Sequence, residues 1–124
     1  MKPQYDHAIS FIWVKDWDKT LHFYTEVLGM TKVYDSEGWA ELSVPGVKDS
    51  YIALNRWVRN EGQPKNEFIT LRMKNLDEFR KYLKSKNVYL AGDMMEFLDE
   101  GQGLRMFKFE DPEGNVLTAA QIDV

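Results

Sequence analysis

Cysteine and histidine, two common metal-ligating and nucleophilic residue types, are scarce in this chain. There is no cysteine, which excludes disulfides, zinc ribbons and thiol nucleophiles. Of the two histidines, His7 could form a metal site with Glu41 or Glu67, although a histidine near a terminus is more often solvated or hydrogen-bonded. His22 falls between the core positions of a predicted helix. It should face solvent, and we assign it no role.

Aromatic side chains are abundant, at 14% of the sequence with four tryptophans. Such rings either fill a core or line a cavity. Arg72 is the polar residue that fits a filled core least well, because a guanidinium is seldom buried without a partner. It would pair with a ligand carboxylate or phosphate, reach Glu41, or lie at an open rim. The sequence leaves these three alternatives open.

The elements that must position these residues occur twice. Val14-Lys15-Asp16-Trp17-Asp18 opens a first helix, and Met73-Lys74-Asn75-Leu76-Asp77 opens a second 59 positions later. Each helix follows an apolar strand and precedes three more extended segments, so each half reads as β-α-β-β-β. A repeated half-domain predicts two similar modules with a seam between them, where ligand sites usually form.

Turn and cap residues set the boundaries of the predicted elements. Asp16 is predicted to cap the first helix and Gly29 to end it in a left-handed position, while Asn75 and Glu78 are predicted to form a capping box for the second helix. The predicted strands are 8–14, 32–34, 39–44 and 51–55 in the first half, and 68–73, 88–90, 104–109 and 116–121 in the second.

A single domain over residues 1–124 fits the length and the 44% hydrophobic content, because two independent cores would need a longer chain. We predict module one at about 5–56 and module two at about 67–124. The segment between them, about 57–66, is polar and contains both glycine and proline, so it is predicted to be a linker.

The charge and the hydropathy of the sequence argue against nucleic acid and membrane partners. The net charge is −4 and the basic residues are scattered, so we expect no nucleic acid partner. The first residues show no signal-peptide core, and no apolar run approaches the roughly 20 residues that cross a bilayer, so no membrane partner is expected. The sequence predicts a cytoplasmic location.

Two stretches carry a family resemblance. Asp16 followed by Phe23-Tyr24-Thr25-Glu26-Val27-Leu28-Gly29 resembles a signature of the vicinal oxygen chelate superfamily, the glyoxalase, bleomycin resistance and extradiol dioxygenase group. Phe109-Glu110-Asp111-Pro112-Glu113-Gly114-Asn115 is similar to the turn before that family's last strand. The resemblance covers essentially the whole chain. It implies an α+β fold in which two βαβββ modules form curled half-barrel sheets around a cavity.

The resemblance also implies where a metal would be held in metal-dependent members, and this chain departs from the pattern there. The matching positions are Ile9 and Ala53 in module one and Phe68 and Thr118 in module two. Isoleucine, alanine and phenylalanine have no lone pair to donate to a metal, and threonine is a poor ligand. We therefore expect no metal site and no cofactor.

Strand alternation predicts the wall of the implied cavity. The wall is mostly apolar, with Ile9, Ala53, Val116 and Ala120 among its members, which suits a small-molecule pocket better than acid-base chemistry. The alternative is that Phe11, Trp13 and Phe68 fill the half-barrels as core and leave no cavity. The predicted ligand-binding residues are Phe11, Trp13, Tyr51, Asn55, Phe68, Thr70, Arg72 and Thr118.

Three classes of function remain. The first is a metal-independent protein that binds a small aromatic or amphipathic molecule for drug or metabolite sequestration. The second is a lyase, isomerase or dioxygenase-type enzyme that uses non-standard residues, either metal-dependent through unconventional ligands or metal-free through Tyr51, Arg72 or Glu41. Its catalytic residues are unknown. The third is a protein-interaction module. By analogy with the family, we expect a homodimer, since modules from two chains often complete each site.

Overall fold

The computed structural model describes residues 1–6, 8–56, 67, 69–99 and 102–123. The chain divides into two compact units, 1–63 and 64–124. The boundary between the units falls inside the segment 57–66 that the sequence assigns to a linker, and that segment lies outside the described residues. Within the described ranges, each unit contains one four-stranded mixed sheet and one helical segment, so the fold is α+β with two βαβββ modules.

The first sheet has the order β1-β4-β3-β2. Strands β1 and β4 are parallel, and the other neighbours are antiparallel. A β-bulge between Lys32 and Tyr34 shifts the register of the edge strand. The strands are β1 Ala8–Trp13, β2 Thr31–Ser36, β3 Trp39–Ser43 and β4 Ser50–Asn55.

The first helical segment begins with α1, Trp17–His22, and continues as a π-helical segment, Phe23–Val27. The Asp16 side chain accepts a hydrogen bond from the backbone N–H of Lys19, as predicted for the N-cap. At the other end Gly29 has φ +75, and the backbone N–H of Met30 bonds the carbonyl of Tyr24 at 3.0 Å. The left-handed cap at Gly29 is therefore confirmed. The π-helical turn was not predicted.

The second sheet has the order β5-β8-β7-β6, with β5 and β8 parallel. The predicted strand 88–90 is wrong: only Leu90 pairs there, through an isolated bridge to Phe109. The strand that pairs with β7 lies further along the chain, at Met95–Asp99. The elements are β5 Ile69–Arg72, α2 Leu76–Ser85, β6 Met95–Asp99, β7 Gln102–Glu110 and β8 Val116–Asp123.

Helix α2 begins without the predicted capping box. The Asn75 side chain makes no cap hydrogen bond; instead Gln121 Oε1 of β8 accepts from the backbone N–H of Leu76 at 3.2 Å. The same oxygen accepts from Arg105 Nη2 at 3.3 Å, and Arg105 Nη1 pairs with Asp77 at 3.0 Å. The sheet therefore supplies the acceptor that the first turn of α2 needs.

The turn before β8 has the tight geometry expected for its sequence. Asp111 Oδ1 accepts from the backbone N–H groups of Glu113 and Asn115 at 2.8 and 2.9 Å, and Asp111 Oδ2 accepts from Asn115 Nδ2 at 3.0 Å. Gly114 adopts φ +83. This turn connects β7 to β8. In the described part of the chain, no helix is long and apolar enough to cross a membrane.

Candidate functional site

The two faces of the first sheet differ in character. One face is buried. Its residues Ile12, Leu42 and Leu54 are only 0–1% exposed. Thr20, Phe23 and Tyr24 of the helical segment are also buried, so this face forms the core of module one with the helix. The opposite face is only partly buried. It is therefore the face of this sheet that can meet a ligand.

We call this opposite surface the aromatic face. The strand register aligns its side chains in three rows across β1, β4 and β3. Because paired residues on neighbouring strands project to the same side of a sheet, the members of each row are neighbours. The rows are Ile9, Tyr51 and Ser43; Phe11, Ala53 and Glu41; and Trp13, Asn55 and Trp39.

Three rings form a cluster on the aromatic face. The centroids of Phe11 and Trp13 are 5.8 Å apart with an interplanar angle of 88°, and those of Phe11 and Trp39 are 6.0 Å apart at 47°. Phe11, at the centre of the cluster, remains 45% exposed. Phe11 is therefore not part of a filled core, and an exposed ring between two others offers apolar surface to a planar molecule.

A carboxylate lies against this cluster. The indole N–H of Trp39 donates a hydrogen bond to Glu41 Oε2 at 2.8 Å. Trp39 and Glu41 are two residues apart on β3, so both project from the same face. The bond holds one carboxylate oxygen beside the rings.

Tyr51 and Asn55 occupy the strand between the rings. Asn55 lies between Trp13 and Trp39 in the register and is 7% exposed. Its backbone carbonyl accepts from the N–H of Val14 at 3.0 Å, which ties the end of β4 to the end of β1. Tyr51 is half-buried in the row of Ile9 and Ser43. The register therefore brings the four predicted ligand residues of module one onto one face.

The predicted residues of module two lie on one face of the second sheet. Thr70 pairs with Thr118, and Arg72 pairs with Ala120. Thr70 and Arg72 are exposed, while Thr118 is half-buried. The opposite face of the second sheet is buried, as at Ile69 and Leu117. This face packs on α2 through Phe79. Phe68 lies outside the described residues.

The residues at the metal positions implied by the family do not fit a metal. Ile9 and Ala53 contribute only aliphatic atoms to the aromatic face, and Thr118 pairs with another threonine. Over the described ranges, no group of three or more histidine, aspartate or glutamate side chains is arranged to hold an ion. His7, the alternative ligand, lies outside the described residues. Metal independence stays a prediction.

Sequence reasoning did not include Trp39 or Glu41 among the ligand-binding residues, because it took only the first and last strands of each module as the wall. The signal was present in β3, Trp39-Ala40-Glu41-Leu42-Ser43, where Ala40 and Leu42 alternate with more polar or amphipathic residues. Ala40 and Leu42 are fully buried. Trp39, Glu41 and Ser43 must then project to the other side.

A family model described as the Glyoxalase/Bleomycin resistance protein/Dioxygenase superfamily matches residues 4–118. A search of curated protein sequences finds no significant match. Among solved structures, a member of this superfamily from Sphaerobacter thermophilus DSM 20745 is 28% identical, with a TM-score of 0.79 over 96% of this chain and 98% of the other.

Two further structures come from Streptomyces sp. CB03234. TnmS3, an antibiotic binding protein, is 22% identical with a TM-score of 0.75, and the alignment covers 98% of each chain. A glyoxalase/bleomycin resistance protein is 24% identical with a TM-score of 0.72, covering 94% of this chain and 100% of the other. At these identities the two structures show a shared fold.

Proposed function

Because the chain belongs to the glyoxalase, bleomycin resistance protein and dioxygenase superfamily, we propose that it binds a small aromatic or amphipathic molecule on the aromatic face, without a metal ion. The observation that carries this proposal is the cluster of Phe11, Trp13 and Trp39, with Phe11 45% exposed at its centre. A ring stacked on this cluster would remove apolar surface from water. The antibiotic binding described for TnmS3, a structure of the same fold, supports the same class of function.

The residues at the implied metal positions also favour binding over metal-dependent catalysis. A Lewis acid would need ligands that Ile9 and Ala53 do not provide. The aromatic face offers rings and the side chains of Glu41, Asn55 and Tyr51 instead, a combination that orients a ligand. Sequestration of a drug or metabolite requires no more than this.

The test is a titration of tryptophan emission with ring-bearing compounds: aromatic acids, glycopeptide drugs and flavin-like molecules. Trp13 and Trp39 both lie in the cluster, so a bound ring should change their emission, and the change should become smaller in Trp13→Phe. Phe11→Ala should weaken binding by about two- to tenfold, because stacking pairs contribute on the order of 0.5–1.5 kcal/mol.

The matched control is Tyr89→Ala, which removes another exposed ring, 65% exposed, from module two outside its strands. It should leave affinity unchanged. If no compound changes the emission, or if Phe11→Ala and Tyr89→Ala act alike, the aromatic face is not the binding site. Chemical analysis of the recovered compound in the same samples distinguishes binding from turnover.

The other sequence-based expectations remain proposals. Arg72 is proposed to contact an anionic group of a ligand, with Thr70 and Thr118 beside it on the second sheet, and Arg72→Ala tests this contact. The homodimer is tested by light scattering against the 14.6 kDa mass of one chain. We also propose a cytoplasmic location.

A further inference from the structure

The three rows of the aromatic face on β1, β4 and β3 contain one acidic side chain and no lysine or arginine. The acidic side chain is Glu41, in the middle row. The others are apolar, aromatic or neutral polar side chains. Glu41 lies in the same row as Phe11, the exposed centre of the ring cluster. A molecule stacked on Phe11 would therefore lie beside a carboxylate.

The aromatic rings and the Glu41 carboxylate both attract positively charged groups. The face of an aromatic ring carries a negative quadrupole and attracts a cation placed within about 6 Å of its centroid. Phe11 and Trp13 stand nearly perpendicular, at 88°, so their planes form two sides of a corner. The carboxylate adds a direct charge interaction and a charge-assisted hydrogen bond to an N–H donor.

The hydrogen bond from Trp39 fixes this arrangement. Glu41 Oε2 is held at 2.8 Å from the indole nitrogen, so the carboxylate does not have to be ordered when a ligand arrives. A preorganised charge loses less conformational entropy on binding than a free glutamate side chain would. An anionic ligand at the same place would meet both the carboxylate and the negative ring faces.

From this geometry we propose that the aromatic face selects organic cations: molecules whose ring or apolar body carries an amine or a quaternary ammonium group. The inference rests on the proposed function, because it names the ligand class for the same surface. The ring stacks on Phe11 between Trp13 and Trp39, and the ammonium group pairs with Glu41.

The test uses three probes with one ring and nearly the same chain length: phenethylamine, 2-phenylethanol and phenylacetate. They are cationic, neutral and anionic at pH 7, so differences in their affinity report the charge preference. In titration calorimetry at low ionic strength, phenethylamine should bind about tenfold more tightly than 2-phenylethanol, because it makes one charge-assisted contact more. Phenylacetate should bind most weakly. The preference should shrink as salt is added.

Glu41→Gln removes the negative charge and keeps the size and shape of the side chain. Glutamine keeps an amide oxygen that can accept the indole hydrogen bond, so the rings stay in place while the negative charge is lost. The affinity of this variant for phenethylamine should fall to its affinity for 2-phenylethanol. The control is Glu26→Gln, which removes the same charge from an exposed position on the helical segment and should leave the preference intact.

The outcomes distinguish this inference from the function on which it rests. If none of the three probes binds and the ring-compound titration is also silent, the proposed function fails. If all three bind equally, or if Glu41→Gln and Glu26→Gln have the same effect, binding stands and cation selection is wrong. If phenylacetate binds best and Arg72→Ala abolishes the difference, the anion contact of Arg72 decides ligand choice instead.

Discussion

Trp39 and Glu41 are joined across one pleat of β3: the indole N–H of the first donates to the carboxylate of the second at 2.8 Å. An i,i+2 pair on a strand shares a face, and the long side chains of tryptophan and glutamate can bridge that spacing. The bond couples the ring cluster to the charged group of the aromatic face. Removing either partner should therefore affect the other.

This coupling can be measured by a double-mutant cycle with Trp39→Phe and Glu41→Ala. Phenylalanine keeps a ring but has no N–H to donate, and alanine removes the acceptor. We expect a coupling free energy of about 0.5–1.5 kcal/mol in denaturant unfolding, the usual net value of a hydrogen bond. Additive effects of the two substitutions would show that the bond contributes nothing to stability in solution.

The start of helix α2 offers a second prediction. Gln121 Oε1 accepts from the backbone N–H of Leu76, whereas the Asn75 side chain makes no cap bond. Gln121→Ala should lower the free energy of unfolding by about 1 kcal/mol, the usual cost of losing a helix cap. Asn75→Ala is the matched control and should cost less. The reverse order in denaturant unfolding would mean that Asn75 caps the helix, as its sequence position suggests.

The turn at Asp111 should be among the most sensitive positions in module two. Its carboxylate accepts hydrogen bonds from two backbone N–H groups and from the side-chain amide of Asn115. Asp111 is only 5% exposed. Asp111→Ala should destabilise the protein by about 3 kcal/mol, because it leaves buried donors without an acceptor. Asp111→Asn keeps one acceptor oxygen and should cost less. Equal thermal midpoints for Asp111→Ala and the unmutated protein would contradict this role.

Local signals in the sequence predicted several features because few residues can satisfy them. Gly29 ends the first helical segment with φ +75, a conformation that costs other residues energy, and Gly114 at φ +83 completes the turn before β8. Asp16 caps α1 through its own side chain. These features depend on residues close in sequence, so the pattern of residue types was sufficient.

Features that depend on distant partners were not predicted. Val88, Tyr89 and Leu90 have good strand propensity, but β7 pairs with Met95–Asp99 instead, and only Leu90 forms a bridge. The acceptor for α2 comes from Gln121, 45 residues away. Neither fact is visible in a local window, because both are set by the register of the second sheet.

For the candidate site, alternation grouped Phe11 with Trp13 and Tyr51 with Asn55, because a strand has a fixed period of two. The positions Ile9 and Ala53, implied by the family resemblance, indicated that the two groups share a face. The prediction did not include Trp39 and Glu41, since their strand, β3, was not considered part of the wall. The hydrogen bond between them depends on side-chain conformation, which strand alternation does not specify.

The last prediction concerns metal content. Ile9, Ala53 and Thr118 stand where metal-dependent relatives are expected to hold ligands, and aliphatic groups cannot coordinate an ion. Elemental analysis of purified protein should therefore find well below one zinc, nickel, manganese or iron per chain, and added metal should not raise the melting temperature. The control is His7→Ala, which removes the alternative ligand. About one metal per chain, lost in His7→Ala, would show that a site with different ligands exists and would favour catalysis over binding.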